Sequence, residues 1–228
     1  MKSIRILFVL IIVVLSSTVH ATSIQFNGTV NKIFTYDGNT IDYVNTSDMF
    51  GTSFSIGDTY QGLFDYNPDS SHLVIGNDQY SVYNHDTLIG IKTTWADYVF
   101  NSYGSTADYG FVQIQNNYQH GSIKDGFSVS DKYYNNGLTH DAELYLFDDS
   151  ATVYNDLLLP LNVDLSQFNV SIFHQSFVDN NGNQLHIYGG IDSLSNINSA
   201  PVPEPTTFLL FGIGLLGMSW TMRKKQQI

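Results

Sequence analysis

The side chains that could do chemistry in this chain begin with six histidines between residues 22 and 200, namely His72, His85, His120, His140, His174 and His186. No two of them have the spacing of an H-x-H or HExxH pair, so the sequence predicts no zinc site. The chain has no cysteine, which excludes disulfides, thiol catalysis and cysteine-ligated zinc. Each histidine is therefore expected to be an ordinary surface or strand residue.

A hydrolytic site would need an activated nucleophile or a pair of carboxylates. The sequence has no G-x-S-x-G elbow, although a serine triad is defined by geometry and stays open at this point. Glycoside hydrolysis needs two carboxyl groups at a set separation, and Glu143 is the only glutamate between residues 22 and 200, with no partner indicated. We therefore predict no catalytic residue and a protein that is not an enzyme, with a secreted hydrolase as an alternative.

One aspartate begins a pattern that resembles a calcium loop. Asp179, Asn181 and Asn183 alternate as the first ligands of such a loop do. Gln184 stands where the loop needs a glycine, and no glutamate follows at the required distance. Because Asn181-Gly182 lies between two alternating runs, a hairpin turn is the favoured interpretation.

Calcium is nevertheless the one cofactor that the sequence leaves open. Asp148, Asp149 and Asp164 lie in polar segments whose carbonyls could complete a calcium site, as loops of β-sandwiches often do. Together with Asp179 they are the candidate calcium ligands, and no other metal site is predicted.

Tyrosine is abundant, with fifteen residues in the chain. Exposed aromatic rings among polar residues are suited to stacking on sugar rings, and the candidates lie in the most polar third: Tyr98, Tyr103, Tyr109, Tyr118, Tyr133 and Tyr134. The alternative is that tyrosine serves here as a strand residue with one wet end.

These side chains must be positioned by strands. Short runs with apolar residues at alternate positions recur about every ten residues, and Gly, Asn and Asp separate them. Examples are Ile24 with Phe26, Val112 with Ile114, Leu144 with Leu146, Val170 with Ile172, and Leu185 with Ile187. No amphipathic helix longer than two turns is evident. The pattern predicts an all-β fold, an antiparallel β-sandwich of jelly-roll-like type, over residues 22–192.

The first residues have the layout of a secretory signal peptide. Lys2 and Arg5 flank the start, Ile6 to Leu15 is uninterruptedly apolar, and small and polar residues lead to Ala21. Ten apolar residues are too few to span a membrane comfortably. The sequence predicts a signal peptide over residues 1–21, cleavage after Ala21 and export by the Sec machinery.

The exported part is strongly acidic. Between residues 22 and 200 there are four lysines, no arginine and twenty carboxylates, which gives a formal charge of −16. Such a surface repels phosphate backbones, so nucleic-acid binding is excluded, and cations are the plausible charged partners.

The last residues combine a proline motif, an apolar run and a basic tail. Val202, Pro203, Glu204 and Pro205 precede an uncharged stretch from Thr206 to Met222, and Arg223, Lys224 and Lys225 follow. Seventeen helical residues would rise about 25 Å, slightly less than the roughly 30 Å of a bilayer core. The predicted transmembrane helix is centred on Phe208, Leu209, Leu210, Phe211, Gly212, Ile213, Gly214, Leu215, Leu216, Gly217 and Met218. The basic tail would remain cytoplasmic. A hydrophobic core helix and a plain membrane anchor are the alternatives.

This three-part end resembles the PEP-CTERM sorting signal of exported proteins in Gram-negative bacteria that make exopolysaccharide. The resemblance implies recognition by exosortase, a membrane transpeptidase, with cleavage at or near Pro203-Glu204-Pro205. Segments such as Gly57-Asp58-Thr59-Tyr60 and Leu144-Tyr145-Leu146-Phe147 also resemble a recurring ectodomain of such proteins.

We therefore expect residues 22–192 to form the ectodomain, residues 193–201 to be a polar linker and residues 202–228 to be the sorting and anchor segment. The expected protein is tethered at the inner membrane and then reaches the cell surface or the extracellular matrix. Its expected role is structural or adhesive and associated with exopolysaccharide. A carbohydrate- or calcium-binding module on a plain anchor is the first alternative, and a secreted hydrolase is the second.

Overall fold

The computed structural model describes residues 21–70, 73–76, 79–84, 87–95, 98–103, 109–118, 124–135 and 137–198. They form fourteen strands: β1 Thr22–Tyr36, β2 Ile41–Val44, β3 Thr46–Ser47, β4 Phe54–Ser55, β5 Thr59–Tyr66, β6 Leu73–Gly76, β7 Tyr80–Tyr83, β8 Leu88–Trp95, β9 Tyr98–Asn101, β10 Tyr109–Gln115, β11 Asp125–Asn135, β12 Leu138–Asp148, β13 Val170–Asp179 and β14 Gln184–Asn198. Two short 3-10 turns, Met49–Gly51 and Leu165–Gln167, are the helical elements of this described part.

Twelve of the strands form one antiparallel sheet in the order β6-β7-β10-β11-β12-β13-β14-β1-β5-β8-β9, and β2 adds to the far half of β1. The first and last strands are neighbours, with Thr22 opposite Asn198. β1 is long enough to pair with β14 along its whole length, with β5 through residues 22–29 and with β2 through residues 33–36. This strand therefore joins the two halves of the sheet.

The sheet folds back so that its β5-β8-β9 half covers the β11-β12-β13 half. Phe64 of β5 packs on Phe127 of β11, with ring centroids 5.9 Å apart. Trp95 of β8 packs on Phe173 of β13 at 5.8 Å. Because these strands are not hydrogen-bonded neighbours, the contacts define two layers with the aromatic core between them.

A hydrogen-bonded row of polar side chains crosses this core. Trp95 Nε1 donates to Thr93 Oγ1 at 3.3 Å, and Thr93 Oγ1 donates to Gln175 Oε1 at 3.2 Å. Gln175 Nε2 then donates to the backbone carbonyl of Asp141 at 3.0 Å. Thr93 and Gln175 are fully buried. Since buried polar groups are costly unless they are paired, this row fixes how the two layers meet.

Tyr60 fits into the fold because two neighbouring strand positions are glycine. The Tyr60 hydroxyl donates to the Gly190 carbonyl at 2.9 Å. Its ring occupies the space that a Cβ at Gly28 or Gly189 would need. Glycine at these two strand positions therefore lets a large ring cross the backbone of β1 and β14.

The predicted all-β, antiparallel and sandwich-like fold is confirmed. The expected jelly-roll-like connectivity is wrong, because a jelly roll divides its strands between two sheets by crossing connections. Here one continuous sheet contains twelve strands, and most neighbours are consecutive in the chain.

Two local expectations also differ from the structure. Residues 193–198 of the predicted linker are the end of β14 and pair with residues 22–27. Their polar side chains find partners there, since Asn196 bonds both the backbone N–H and the carbonyl of Val163 at 2.9 Å. In β13 the buried positions are the reverse of those expected from Val170 and Ile172. Phe173 and Phe177 face the core, while Val170 is exposed.

Candidate functional site

The outer face of the sheet carries two adjacent cross-strand rows of functional side chains, on β12, β13, β14, β1 and β2. The strand register places Glu143, His174, Tyr188 and Lys32 in the first row. It places Asp141, Ser176, His186, Phe34 and Tyr43 in the second. We refer to these nine residues as the outer face. Alternation along each strand explains the arrangement, since the residues between them face the core.

Four polar side chains here form one continuous hydrogen-bonded chain, which we call the polar chain. Glu143 Oε2 lies 2.7 Å from His174 Nδ1. His174 Nε2 lies 3.0 Å from His186 Nδ1. His186 Nε2 lies 2.8 Å from Gln184 Oε1. Both nitrogens of both imidazoles are therefore engaged, and the chain ends on an oxygen at each side.

The same histidines belong to a stack of rings. His174 stacks on Tyr188 at 4.3 Å and lies parallel to His186 at 5.2 Å. His186 stacks on Phe34 at 4.5 Å, and Phe34 packs against Tyr43 at 5.8 Å. Tyr43 is 68% exposed. The stack therefore runs from the buried ring of His174 to the exposed ring of Tyr43.

A lysine lies over the open end of the stack. Lys32 Nζ is 5.0 Å from the ring centre of Tyr43, 5.5 Å from that of Tyr188 and 5.6 Å from that of Phe34. Three rings at this range hold an ammonium by cation–π attraction. The outer face thus combines a solvated cation with aromatic surface in a domain that is otherwise strongly acidic.

The two carboxylates of the outer face have different pKa values. Burial raises the pKa of Asp141 to about 6, and the charge of Glu143 adds to this, although Lys132 and His174 oppose it. Burial also acts to raise the pKa of Glu143, but hydrogen bonds from His174 and Tyr145 outweigh it, so that pKa lies below its ordinary value. Glu143 is therefore the permanent anion of the outer face.

The second imidazole resists protonation. Burial lowers the pKa of His186 to about 4, and the charge of His174 lowers it further, whereas Glu143 opposes the change. A second proton is thus unfavourable in the polar chain until the medium is strongly acidic.

The four candidate calcium ligands lie at strand ends or in turns, and three of them already accept hydrogen bonds from the turn that follows. Asp148 accepts from the backbone N–H of Ser150 at 3.0 Å, and Asp164 accepts from Ser166 at 3.0 Å. Asp179 accepts from the backbone of the 180–183 turn, which is the hairpin that the Asn-Gly pair indicated. Asp149 is exposed. Within the described ranges, no group of three or more acidic or histidine side chains is arranged to hold a metal ion.

The tyrosines proposed for sugar stacking do not form one surface. Tyr98 bonds His140 Nδ1 at 2.8 Å and packs on Phe177, towards the core. Tyr133 stacks on the same histidine at 4.7 Å. Tyr134 is 65% exposed on the β11–β12 hairpin. The ring of Tyr103 lies against Gly90, and that of Tyr118 against Tyr80. The side chain of Tyr109 lies outside what the structure describes.

Several predicted features fall outside the described residues: the sorting motif Val202 to Pro205, the span Phe208 to Met218 and the basic Arg223 to Lys225. Ala21 is buried immediately before β1, and cleavage after it stays a prediction. In the part of the chain that the structure describes, no helix has the length and apolarity that crossing a membrane requires.

Motif searching missed the outer face, because its members are separated by up to 156 positions, from Lys32 to Tyr188. Part of the signal was present, since His186 and Tyr188 alternate with Leu185 and Ile187. A two-residue loop at Asn181-Gly182 would, however, pair His174 with Gly189. The observed loop has three residues, Asn180 to Gly182, and it pairs His174 with Tyr188.

Comparison with known proteins bears on the C-terminal segment of the chain. No curated protein is significantly similar to the chain. Residues 201–225 match the family model of the PEP-CTERM protein-sorting motif, which covers the proline motif, the apolar run and the basic tail. The chain therefore carries a PEP-CTERM sorting signal, which implies export to the cell envelope or surface by an exosortase-dependent route.

Proposed function

We propose that this protein is a non-catalytic adhesive component of the cell surface or extracellular matrix, and that its outer face contacts exopolysaccharide. The sorting motif supports export to the surface. The observation that carries the proposed contact is the stack of rings ending in exposed Tyr43, bordered by hydrogen-bonding groups on Glu143, Gln184 and Lys32. Flat apolar rings beside polar groups suit a sugar, which has apolar C–H faces and hydroxyl edges.

Charge favours a neutral sugar polymer over an anionic one. The domain has a formal charge of −16 between residues 22 and 200, so it repels polyanions at long range. Neutral hydroxyl-bearing polymers meet no such barrier. We accordingly propose a neutral segment of the exopolysaccharide as the contact.

The experiment is binding of the full-length protein to exopolysaccharide isolated from the producing culture, measured by affinity electrophoresis. Tyr43→Ala removes the open ring and should weaken binding roughly 2- to 12-fold, the range of about 0.5–1.5 kcal/mol for one aromatic contact. Tyr134→Ala is the matched control, because Tyr134 is 65% exposed against 68% for Tyr43 but lies on another hairpin. Equal losses in both variants, or no binding by the unchanged protein, would contradict the proposal.

The anchoring part of the proposal has its own test. We propose that exosortase removes the segment after about Pro203 and that signal peptidase removes residues 1–21. Intact mass of the protein recovered from its host should then lack both ends. A mass that retains Phe208 to Ile228 in the inner-membrane fraction would instead indicate a plain transmembrane anchor.

One observation favours a secreted hydrolase as a second candidate. Asp141 and Glu143 lie two positions apart on the same face, and their environments move their pKa values in opposite directions, as an acid and its partner carboxylate require. If this candidate is right, the protein will release reducing ends from the isolated exopolysaccharide and Asp141→Asn will abolish the release. A polymer that is unchanged after prolonged incubation would rule out the hydrolase.

A further inference from the structure

The polar chain can satisfy all its hydrogen bonds in only two protonation states. The carboxylate of Glu143 only accepts, so His174 must carry a proton on Nδ1. In the neutral state, the Gln184 amide donates to His186 Nε2, and His186 Nδ1–H donates to His174 Nε2. In the protonated state His186 Nε2–H donates to Gln184 Oε1, so the bond to Gln184 is reversed. If the bond between the two imidazoles keeps its direction, the positive charge lies on His186. If it also reverses, His174 Nε2–H donates to His186 Nδ1 and the charge lies on His174, beside the carboxylate of Glu143, which is the favoured arrangement.

The arrangement of acceptors at the two ends of the polar chain is the one that the protonated state requires. Gln184 directs Oε1 towards His186 Nε2 at 2.8 Å, and the carboxylate of Glu143 accepts at the opposite end at 2.7 Å. Two imidazoles between two acceptors need three protons on four nitrogens, which is one more than two neutral rings supply. Rotation of the Gln184 amide by half a turn converts the end group from acceptor to donor and restores the neutral state.

We propose that the polar chain is a proton-driven switch, in which uptake of one proton by the His174–His186 pair reverses the chain and turns the Gln184 amide. Its effect on recognition rests on the proposed exopolysaccharide contact. The protonated outer face gains a positive charge within the ring stack. The amide of Gln184 then also presents the opposite hydrogen-bonding group to a sugar hydroxyl.

The surrounding charges favour uptake of one proton and no more. The carboxylate of Glu143, 2.7 Å from His174, favours positive charge at that ring. Asp141 on the same strand has a pKa of about 6, so it takes up a proton of its own in the same pH range. Lys32 on β1 and Lys132 on β11 oppose positive charge. The remaining titratable groups around the pair are phenols, Tyr145, Tyr188 and Tyr43. Burial raises the pKa of Tyr145 and Tyr188.

Export makes such a switch useful. Imidazole is the side chain that ordinarily changes charge between about pH 5 and pH 8. A surface protein meets the pH of the external medium, which the cell does not buffer as it does the cytoplasm. The outer face would therefore bind its partner differently in acidified and in neutral surroundings.

The test is an NMR titration of the full-length protein from pH 4.5 to pH 8.5, with the imidazole nitrogens and the glutamine side-chain amides observed directly. We expect the nitrogens of His174 and His186 and the side-chain amide of Gln184 to shift with one common midpoint. Different midpoints for the two imidazoles, or a Gln184 amide that does not respond, would overturn the switch.

A substitution at the end of the polar chain gives an independent check. Gln184→Glu replaces the amide by a nearly isosteric group that only accepts when ionised, so it should raise the common midpoint by about one pH unit or more. Gln61→Glu adds the same charge at an exposed position of β5 and should change the midpoint by no more than about 0.2 unit. An unchanged midpoint in Gln184→Glu contradicts the proposed reversal.

Binding to the isolated exopolysaccharide at pH 5 and pH 8 then separates the two proposals. Binding that differs between the two pH values in the unchanged protein, with a smaller difference in Gln184→Glu, supports both. No binding at either pH, with a common NMR midpoint, refutes the exopolysaccharide contact and retains the switch. Binding that is equal at both pH values refutes the regulatory role of the switch and retains the contact.

Discussion

Asp125 is the residue whose replacement gives the clearest stability prediction. Its side chain is fully buried at the start of β11. Oδ1 accepts the backbone N–H of Asn117 at 2.8 Å, and Oδ2 accepts the backbone N–H groups of Val153 and Tyr154 at 2.8 and 2.9 Å. One carboxylate at the start of β11 thus holds both Asn117, just after β10, and the segment that follows β12.

The expected loss follows from those three bonds. Asp125→Ala leaves three N–H groups without this acceptor, each worth about 1–3 kcal/mol when it stays buried and unpaired. Since such losses are not additive, we expect about 3–5 kcal/mol in the free energy of unfolding. Asp125→Asn keeps one oxygen and should lose about 2–3 kcal/mol. At about 2–4 °C per kcal/mol for a domain of this size, the alanine variant should melt about 10 °C lower.

The assay is urea and thermal unfolding of the full-length protein, followed by near-ultraviolet circular dichroism. Asp149→Asn is the control, because it removes the same charge from an exposed neighbouring turn and should change the free energy of unfolding by less than about 0.5 kcal/mol. If both Asp125 variants unfold within about 0.5 kcal/mol of the unchanged protein, the three bonds do not stabilise the fold as argued.

Three further outcomes are expected. Gly28→Ala should lose about 1–3 kcal/mol in urea melts, because its methyl group meets the backbone carbonyl of Gly190 and the ring of Tyr60. Gly190→Ala has Asn31 Nδ2 at 3.7 Å as its nearest neighbour and should lose less than about 0.5 kcal/mol. Similar losses in both variants would contradict this argument. The folded-state pKa of Asp141 is raised from 3.8 to about 6, so the stability that its protonation contributes is complete below about pH 3.8 and is lost as the pH rises through about 6. Asp141→Asn should therefore raise the free energy of unfolding by about 1–3 kcal/mol at pH 8 and leave it unchanged near pH 3.5. A lower free energy of unfolding at pH 8 would mean that the ion pair with Lys132, at 3.7 Å, outweighs the cost of burying the carboxylate. Calcium at about 1 mM, added after chelator treatment, should leave Tm within about 2 °C of its value without calcium. The reason is that three of the four candidate carboxylates already accept hydrogen bonds from their own turns. A rise of several degrees in Tm would indicate a calcium site.

The sequence predicted the strands well because alternation is a local property. Phe26, Val112, Leu144 and Ile187 are all buried in the strands that their pattern indicated. The C-terminal end of β14 escaped because Ser193 to Asn198 is polar enough to resemble a linker. Its strand character comes from a partner at the other end of the chain, since it pairs with residues 22–27.

The candidate site was harder because it exists only across strands. His174 and Glu143 are 31 positions apart, and neither neighbouring sequence contains a motif. Their contact depends on the register of β12 against β13, which are joined by the long 149–169 connection and not by a tight turn whose sequence would predict the pairing. The β13–β14 register was closer to prediction, because a local hairpin sets it, but the observed three-residue loop from Asn180 to Gly182 shifts the pairing by one residue from that of a two-residue Asn-Gly turn.

The neighbouring positions of the first and last strands have a mechanical consequence. The outer face meets β14 at its Gln184 end, whereas the chain leaves β14 at Asn198 towards the sorting segment. A pull between a bound polymer and the cell would therefore run along about 40 Å of β14, parallel to the strand. β14 is hydrogen-bonded to β1 along nearly its whole length and to β13 at its near end. Such a force shears many backbone bonds together instead of opening them one after another. If the outer face is adhesive and the chain is held through its C-terminal segment, as proposed, β14 is the strand that joins the two and it is well placed to resist tension.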